Sequence, residues 1–420
     1  MERTLRYRWL IFVILAAAYF LVYFHRVAPG GGLGLDITAE LGGDLKLFAA
    51  VYFLVYLAMQ IPAGLMADRI GLRKITFGFL LLSAAGTFIV SYADSFALAV
   101  IGKAMVACGM ALVYIPLTKI LAVWFRKRDF ATLNGSVIAV GNIGAIAAGI
   151  PFSMLLAAMG WRTSVLIIGI ITLILAMLCF AFVRDRPGEV GGREIHEIYP
   201  DEVREAREKV PLKEGVLTAV LSGRAFWMPA AGYFLVYGSI MLFQGLWCVT
   251  YFLPHYGRDA SVMLMTMIGV GKILSAALAG TLARRIGSKR TVMIFGNIGY
   301  LAIWGVIWLF AVDGDMYWLW VCVNFMFGFF SGLMVLAFAQ AKEWFPVSIS
   351  GTVISLVNTM IFAGAFVSQY ILSELVGRDF GVLWASMFIW VAAACVLSCL
   401  SVDNRTGEVK AIYRTRTCGK

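Results

Sequence analysis

The chain has 420 residues, 61% of them hydrophobic and 14% charged, with a formal net charge of +11. A soluble domain is nearer half apolar and a quarter charged, so a soluble enzyme of this length is excluded and lipid is the solvent for most of the chain. The apolar runs are continuous rather than alternating, which excludes spanning strands and leaves helices of roughly 20 residues each.

Met1 to Arg8 holds three arginines. The apolar stretch from Trp9 to about Leu35 is too long for a signal-peptide core, and no small-residue cleavage pattern follows a short core, so it predicts a retained first helix. Further spans are predicted at about 46–67, 75–93, 96–121, 130–157 and 162–183. The polar stretch 184–224 holds nine acids and eight bases; it reads as a solvated loop with an amphipathic helix near 213–223. The second half repeats the pattern at about 226–253, 260–283, 291–312, 316–340, 350–375 and 382–402, followed by a polar, basic tail. The expected organisation is an N-terminal six-helix bundle (1–183), a cytoplasmic linker (184–224), a C-terminal six-helix bundle (225–402) and a cytoplasmic tail (403–420).

Sorting the charges along this topology explains most of the +11. Counted from an inside N-terminus, the inner segments hold 27 of the 35 Lys and Arg, and the outer loops hold Lys46, Arg162, Arg258 and Arg378. That bias puts both termini inside, in a bacterial inner membrane. The other four cations, Arg26, Lys103, Lys119 and Lys272, lie within predicted spans, whereas all 24 Asp and Glu fall in loops or at span ends. Even on lenient insertion scales a charge at the bilayer centre costs at least about 2.5–3.5 kcal/mol. Four such cations point to a water-filled cavity that receives an anion, since Arg grips a carboxylate or phosphate at two points.

The segment Gly64-Leu65-Met66-Ala67-Asp68-Arg69-Ile70-Gly71-Leu72-Arg73-Lys74 recurs 216 residues later as Gly280 to Arg290, with five of eleven positions identical. At the same offset Gly135-Ser136-Val137-Ile138 and Asn142 match Gly351-Thr352-Val353-Ile354 and Asn358. Two homologous six-span halves follow. The first segment resembles the loop motif of the major facilitator superfamily, and the resemblance covers the whole chain. It implies an all-α polytopic membrane protein, with 12 transmembrane helices in two pseudo-symmetric six-helix bundles that rock around a central cavity. It also implies a cytoplasmic gate of Asp68, Arg69 and Arg73. The second copy has Arg284 where the first has Asp68, which argues against a symmetric latch.

Arg26 lies 17 residues after Trp9, ~26 Å along the helix. Its segment, Tyr19 to Arg26, is similar to the first helix of the organophosphate/phosphate antiporters and organic anion symporters, which implies that Arg26 binds the substrate anion. Lys272 is 13 residues from both Asp259 and Arg285, ~20 Å from either end of its helix, and is expected to face Arg26 from the other half. Lys103 stands where the superfamily usually has an arginine. Lys119, within Tyr114-Ile115-Pro116-Leu117-Thr118-Lys119, and Gln244, within Phe243-Gln244-Gly245-Leu246-Trp247, stand in segments that resemble sugar-phosphate permeases. Tyr23, Tyr52, Tyr56, Tyr114, Asn142 and Asn358 complete the expected substrate-binding set; Tyr52 and Tyr56 share a helix face. His25 is the group beside Arg26 that titrates near neutral pH and is the proton-coupling candidate.

The seven cysteines and three histidines make no metal-ligand spacing, no P-loop appears, and the spans hold no nucleophile–base set. No cofactor, metal, nucleic-acid partner or enzymatic activity is therefore expected. The expected function is secondary transport of a small organic anion, a carboxylate or phosphate ester, by alternating access, as an exchanger or a proton-coupled symporter, in a monomer embedded in the bilayer. The alternatives are a dipeptide or other zwitterion carrier and a non-transporting membrane receptor of the same fold.

Overall fold

The computed structural model describes residues 2–69, 71–199, 224–310, 312, 314–337, 340, 350–377 and 379–401. Among them all regular structure is helical. The spans are α1 (Glu2–Val27), α2 (Leu45–Arg69), α3 (Leu72–Ser91), α4 (Phe96–Trp124), α5 (127–159), α6 (161–182), α7 (224–256), α8 (258–286), α9 (Lys289–Leu309), α10 (Tyr317–Val335), α11 (350–376) and α12 (Phe380–Leu400).

Local chemistry sets the helix ends. Ser95 caps α4 by accepting from Leu98 N, Ser288 caps α9 through Thr291 N, and the Asp379 carboxylate takes Gly381 N and Val382 N at α12. Gly160 (φ 74°) and Gly257 (φ 71°) break two long apolar runs into α5/α6 and α7/α8, at a backbone angle that a side chain disfavours.

The first span departs from expectation at both ends. Its helix begins at Glu2, not Trp9, with an Arg6–Glu2 pair one turn apart (3.7 Å) and Thr4 Oγ1 donating to Arg193 O (3.0 Å). It stops at Val27 rather than running to Leu35. Pro29 brings no N–H, Gly32 takes φ 110°, and a wide turn over Pro29–Leu33 leads into a separate short helix, Gly34–Leu41. Arg26 therefore sits at the end of its α-helix, one residue before the break. The helix expected near 213–223 lies outside the described residues. The described start of the linker carries only a tight turn (Pro187–Val190) and one turn of helix (Ile195–Ile198).

The chain divides into two compact units, Met1–Glu208 and Lys209–Lys420. In the first, α1 packs on α5, α2 on α4, and α3 on α4 and α6. In the second, α7 packs on α11 and α12, α8 on α10, and α9 on α12. The pairings α1–α5, α2–α4 and α3–α6 thus recur as α7–α11, α8–α10 and α9–α12. A close glycine approach recurs as well. A Cβ on Gly144 of α5 would stand 2.1 Å from Phe20 O of α1, and one on Gly364 of α11 would stand 2.2 Å from Phe234 O of α7. Small residues are what let membrane helices approach this closely.

Candidate substrate site

In the first unit aromatic residues of α1 and α2 cluster around Arg26. The side chain is buried, with 6% exposure, and its guanidinium lies over the rings of Tyr23 (4.7 Å) and Tyr56 (4.9 Å). Ring faces attract a desolvated guanidinium through their negative quadrupole. Tyr23 packs edge-on against Tyr19 (5.3 Å), and Tyr19 stacks on Tyr114 of α4 (5.1 Å). Tyr114 OH donates to Asn134 Oδ1 of α5 (3.1 Å), while Tyr52 packs on Tyr56 (5.8 Å) and its OH donates to Val22 O of α1 (3.2 Å). Glycine on α5 makes room for this cluster: a Cβ on Gly141 would meet the Tyr23 ring at 2.9 Å. Tyr19 and Asn134 belong to the cluster although sequence reasoning did not single them out as site residues. The signal available was the spacing Tyr19–Tyr23 of four residues, one helical face.

Lys103 of α4 is 3% exposed. Its Nζ lies over Phe48 (5.6 Å) and Tyr52 (5.2 Å) and donates to the backbone oxygen of His25 (2.7 Å). It thus stands behind Tyr52, tied to the α1 backbone. Asn142 of α5 donates to Ile138 O of its own helix (3.1 Å). Lys119 is part-buried on α4, past a break at 112–113 that separates its helix from that of Lys103.

In the second unit Lys272 of α8 donates from Nζ to Gln244 Oε1 (2.5 Å). Gln244 is 1% exposed and lies in a π-helical turn of α7, Phe243–Trp247. Such one-turn bulges turn a helix face inward and are frequent at functional sites. Aromatic packing anchors this one: Phe243 meets Phe327 (5.1 Å), Trp384 (5.4 Å) and Trp304 (5.7 Å), and Trp247 Nε1 donates to Ser373 Oγ (3.1 Å). Asn358 is part-buried on α11 of the same unit. The structure therefore joins Arg26 with Tyr23, Tyr52, Tyr56 and Tyr114 in one unit, and Lys272 with Gln244 in the other.

Of the expected gate, the side chains of Asp68 and Arg69 lie outside the described residues. Arg73 is engaged within its own unit: Nε donates to Phe180 O (2.8 Å) and the guanidinium lies over the Phe180 ring (4.6 Å). The Asp185 carboxylate, just after α6, accepts from Leu72 N (3.2 Å) and Arg73 N (2.7 Å) at the start of α3. A carboxylate suits a helix N-terminus, where amides are unpaired and the dipole is positive. This cap was not anticipated, because Asp185 is over 110 residues distant in sequence from the amides that it caps.

At the other end of this unit Glu40 accepts from Trp161 Nε1 (2.6 Å) and from Arg162 Nη2 (2.8 Å), while Arg162 Nη1 donates to Ala93 O (2.7 Å). The Arg162 hydrogen bond, then that of Trp161, holds the Glu40 carboxyl below its usual range. The group ties the short helix after α1 to the α3 end and the α6 start.

The model of the Major Facilitator Superfamily matches residues 15–265 and 259–410, and the chain belongs to that family. It is a multi-pass membrane transporter, not an enzyme. Over 98% of its length it is 23% identical to the probable sulfoacetate transporter of Cupriavidus necator, covering 99% of that protein. It is 22% identical to a probable hexose phosphate transport protein of Chlamydia muridarum, over 68% of this chain and 65% of the other. Among solved structures, a bacterial homologue of the human lysosomal transporter Spinster, in an inward-facing state, has the same fold, with a TM-score of 0.67, 15% identity and coverage of 94% and 95%.

Proposed function

We infer that the chain is a secondary transporter of a small organic anion, a carboxylate or phosphate ester, working by alternating access. The observation that carries this reading is Arg26: a guanidinium 6% exposed, set between two tyrosine rings inside a span. A fork of N–H donors in a desolvated aromatic setting recognises a carboxylate or phosphate. Lys272, hydrogen-bonded to Gln244, is a part-buried cation in the C-terminal unit. The sulfonate-bearing and phosphate-bearing substrates named for the two relatives are of the same charge class. Exchange against an internal anion and proton symport are the two modes of drive, with His25 as the proton-coupling candidate. Asp68, Arg69 and Arg73 form the cytoplasmic gate, and both termini lie in the cytoplasm.

Uptake of labelled sulfoacetate, hexose phosphate and dicarboxylates into proteoliposomes tests the reading, with an internal anion or a proton gradient as drive. At least one anion is expected to accumulate, and Arg26→Gln and Lys272→Gln are each expected to lower uptake at least tenfold. Wild-type uptake by both variants, or binding without flux in the parent, overturns it.

A further inference from the structure

His25 and Arg26 are neighbours on α1 that face different surroundings. Arg26 turns to Tyr23 and Tyr56. His25, 6% exposed, lines a small, partly open cavity of the N-terminal unit, with room for about one water molecule. Its Nε2 is buried and makes no hydrogen bond among the described residues. Lys103 lines the same cavity, and its Nζ donates to the His25 backbone oxygen at 2.7 Å. The regular helical partner of that oxygen would be the N–H of residue 29, and Pro29 has none. Lys103 thus supplies the donor that the proline withholds, at the point where α1 ends. The other elements around the ring bring no titratable group: α2 contributes Phe48, α3 Thr87 and Val90, α5 Phe152, and α6 Val165 and Ile168.

We propose that His25 and Lys103 form a one-proton site, distinct from the anion cluster, whose proton sits either on Lys103, gripping the His25 carbonyl, or on the imidazole, releasing it. This rests on the transporter reading and identifies the pair that carries its coupling proton. Two positive charges facing one apolar cavity repel with little screening, so the pair holds one charge and not two. In the transfer, an N–H bond of the ammonium breaks and one forms on the ring nitrogen; the lysine keeps the electron pair and becomes a neutral amine. An ammonium-to-carbonyl hydrogen bond is roughly twice as strong as a neutral one. Moving the proton therefore loosens the hold on the His25 carbonyl, next to Arg26 and at the end of α1. Protonation state and anion grip become linked through the α1 backbone.

The pair is tested without substrate by 15N NMR of histidine-labelled protein in nanodiscs, with the His25 signal assigned from H25Q. In K103M the titration midpoint of the His25 ring is expected to rise by at least about one pH unit; an unchanged midpoint overturns the proposal. Should K103M not fold, K103Q serves the same titration, because it also removes the charge; K103R, whose side chain does not release a proton, serves in the transport assay. In proteoliposomes K103R and H25Q are expected to lower proton movement per anion at least tenfold, and a wild-type ratio in both overturns the proposal. A parent protein that moves no anion overturns the transport reading instead, and the ring titration then decides the pair by itself.

Discussion

Arg26 is the one arginine away from the ends given for the predicted spans, and the charge inventory of the sequence is enough to mark it. Its setting between Tyr23 and Tyr56 specifies more, because stacking and forked donation both need a planar guanidinium. Arg26→Lys is therefore expected to weaken anion binding at least tenfold despite keeping the charge, while Tyr56→Phe, which keeps the ring, changes it less than threefold; calorimetric titration of the two variants checks this. Parent-like binding by Arg26→Lys would mean that charge alone carries recognition. Tyr23 and Tyr56 were legible from their place on the first two helices. Tyr19 was not separable from the other tyrosines, since the sequence contains 16 of them and only packing selects the stack with Tyr114.

At the scale of elements, two glycines set the distance between helix pairs. Gly144 meets Phe20 O and Gly364 meets Phe234 O, both too close for a Cβ. Gly144→Ala and Gly364→Ala each force backbones apart and are expected to destabilise by about 1–3 kcal/mol. Gly78→Ala, where an added Cβ meets nothing within 4 Å, is the control and is expected to be neutral or slightly stabilising. Thermal unfolding in detergent reads all three. The Glu40–Trp161–Arg162 tie is a second element-scale device. Its carboxyl titrates below the ordinary value in the folded protein, so the stabilisation is present above that value and is lost as pH falls through the lowered one. Glu40→Gln is expected to melt earlier than the parent at pH 7, with the gap closing in acid below pH 4.5. A gap that persists in acid would assign the effect to packing instead.

For the whole molecule, the repeat at an offset of 216 residues anticipated the architecture. The same three helix pairings occur in each unit because homologous sequences bury the same faces. Topology is a prediction at this scale: the excess of Lys and Arg on one side puts the tail inside. A variant keeping Cys418 as its single cysteine is expected to react with an impermeant maleimide in inverted vesicles and not in intact cells. Labelling of intact cells would reverse the orientation.

Hydrophobic length, glycine punctuation and charge asymmetry are local or additive properties. They are enough to read twelve spans, two halves and a set of intramembrane cations directly from the order of residues. Lys103 marks where that reasoning stops. Its position placed it in the expected substrate set; that its ammonium takes the α1 carbonyl left by Pro29 without a helical donor is visible only in the fold. Asp185 on the α3 amides and Gln244 on Lys272 are of the same kind. Each joins residues far apart in the chain through a short hydrogen bond, and such partners are chosen by the packing of helices, whose relative rotation no single helix encodes. Which cation faces tyrosine rings, which holds backbone and which meets a glutamine amide is therefore settled by how the helices pack.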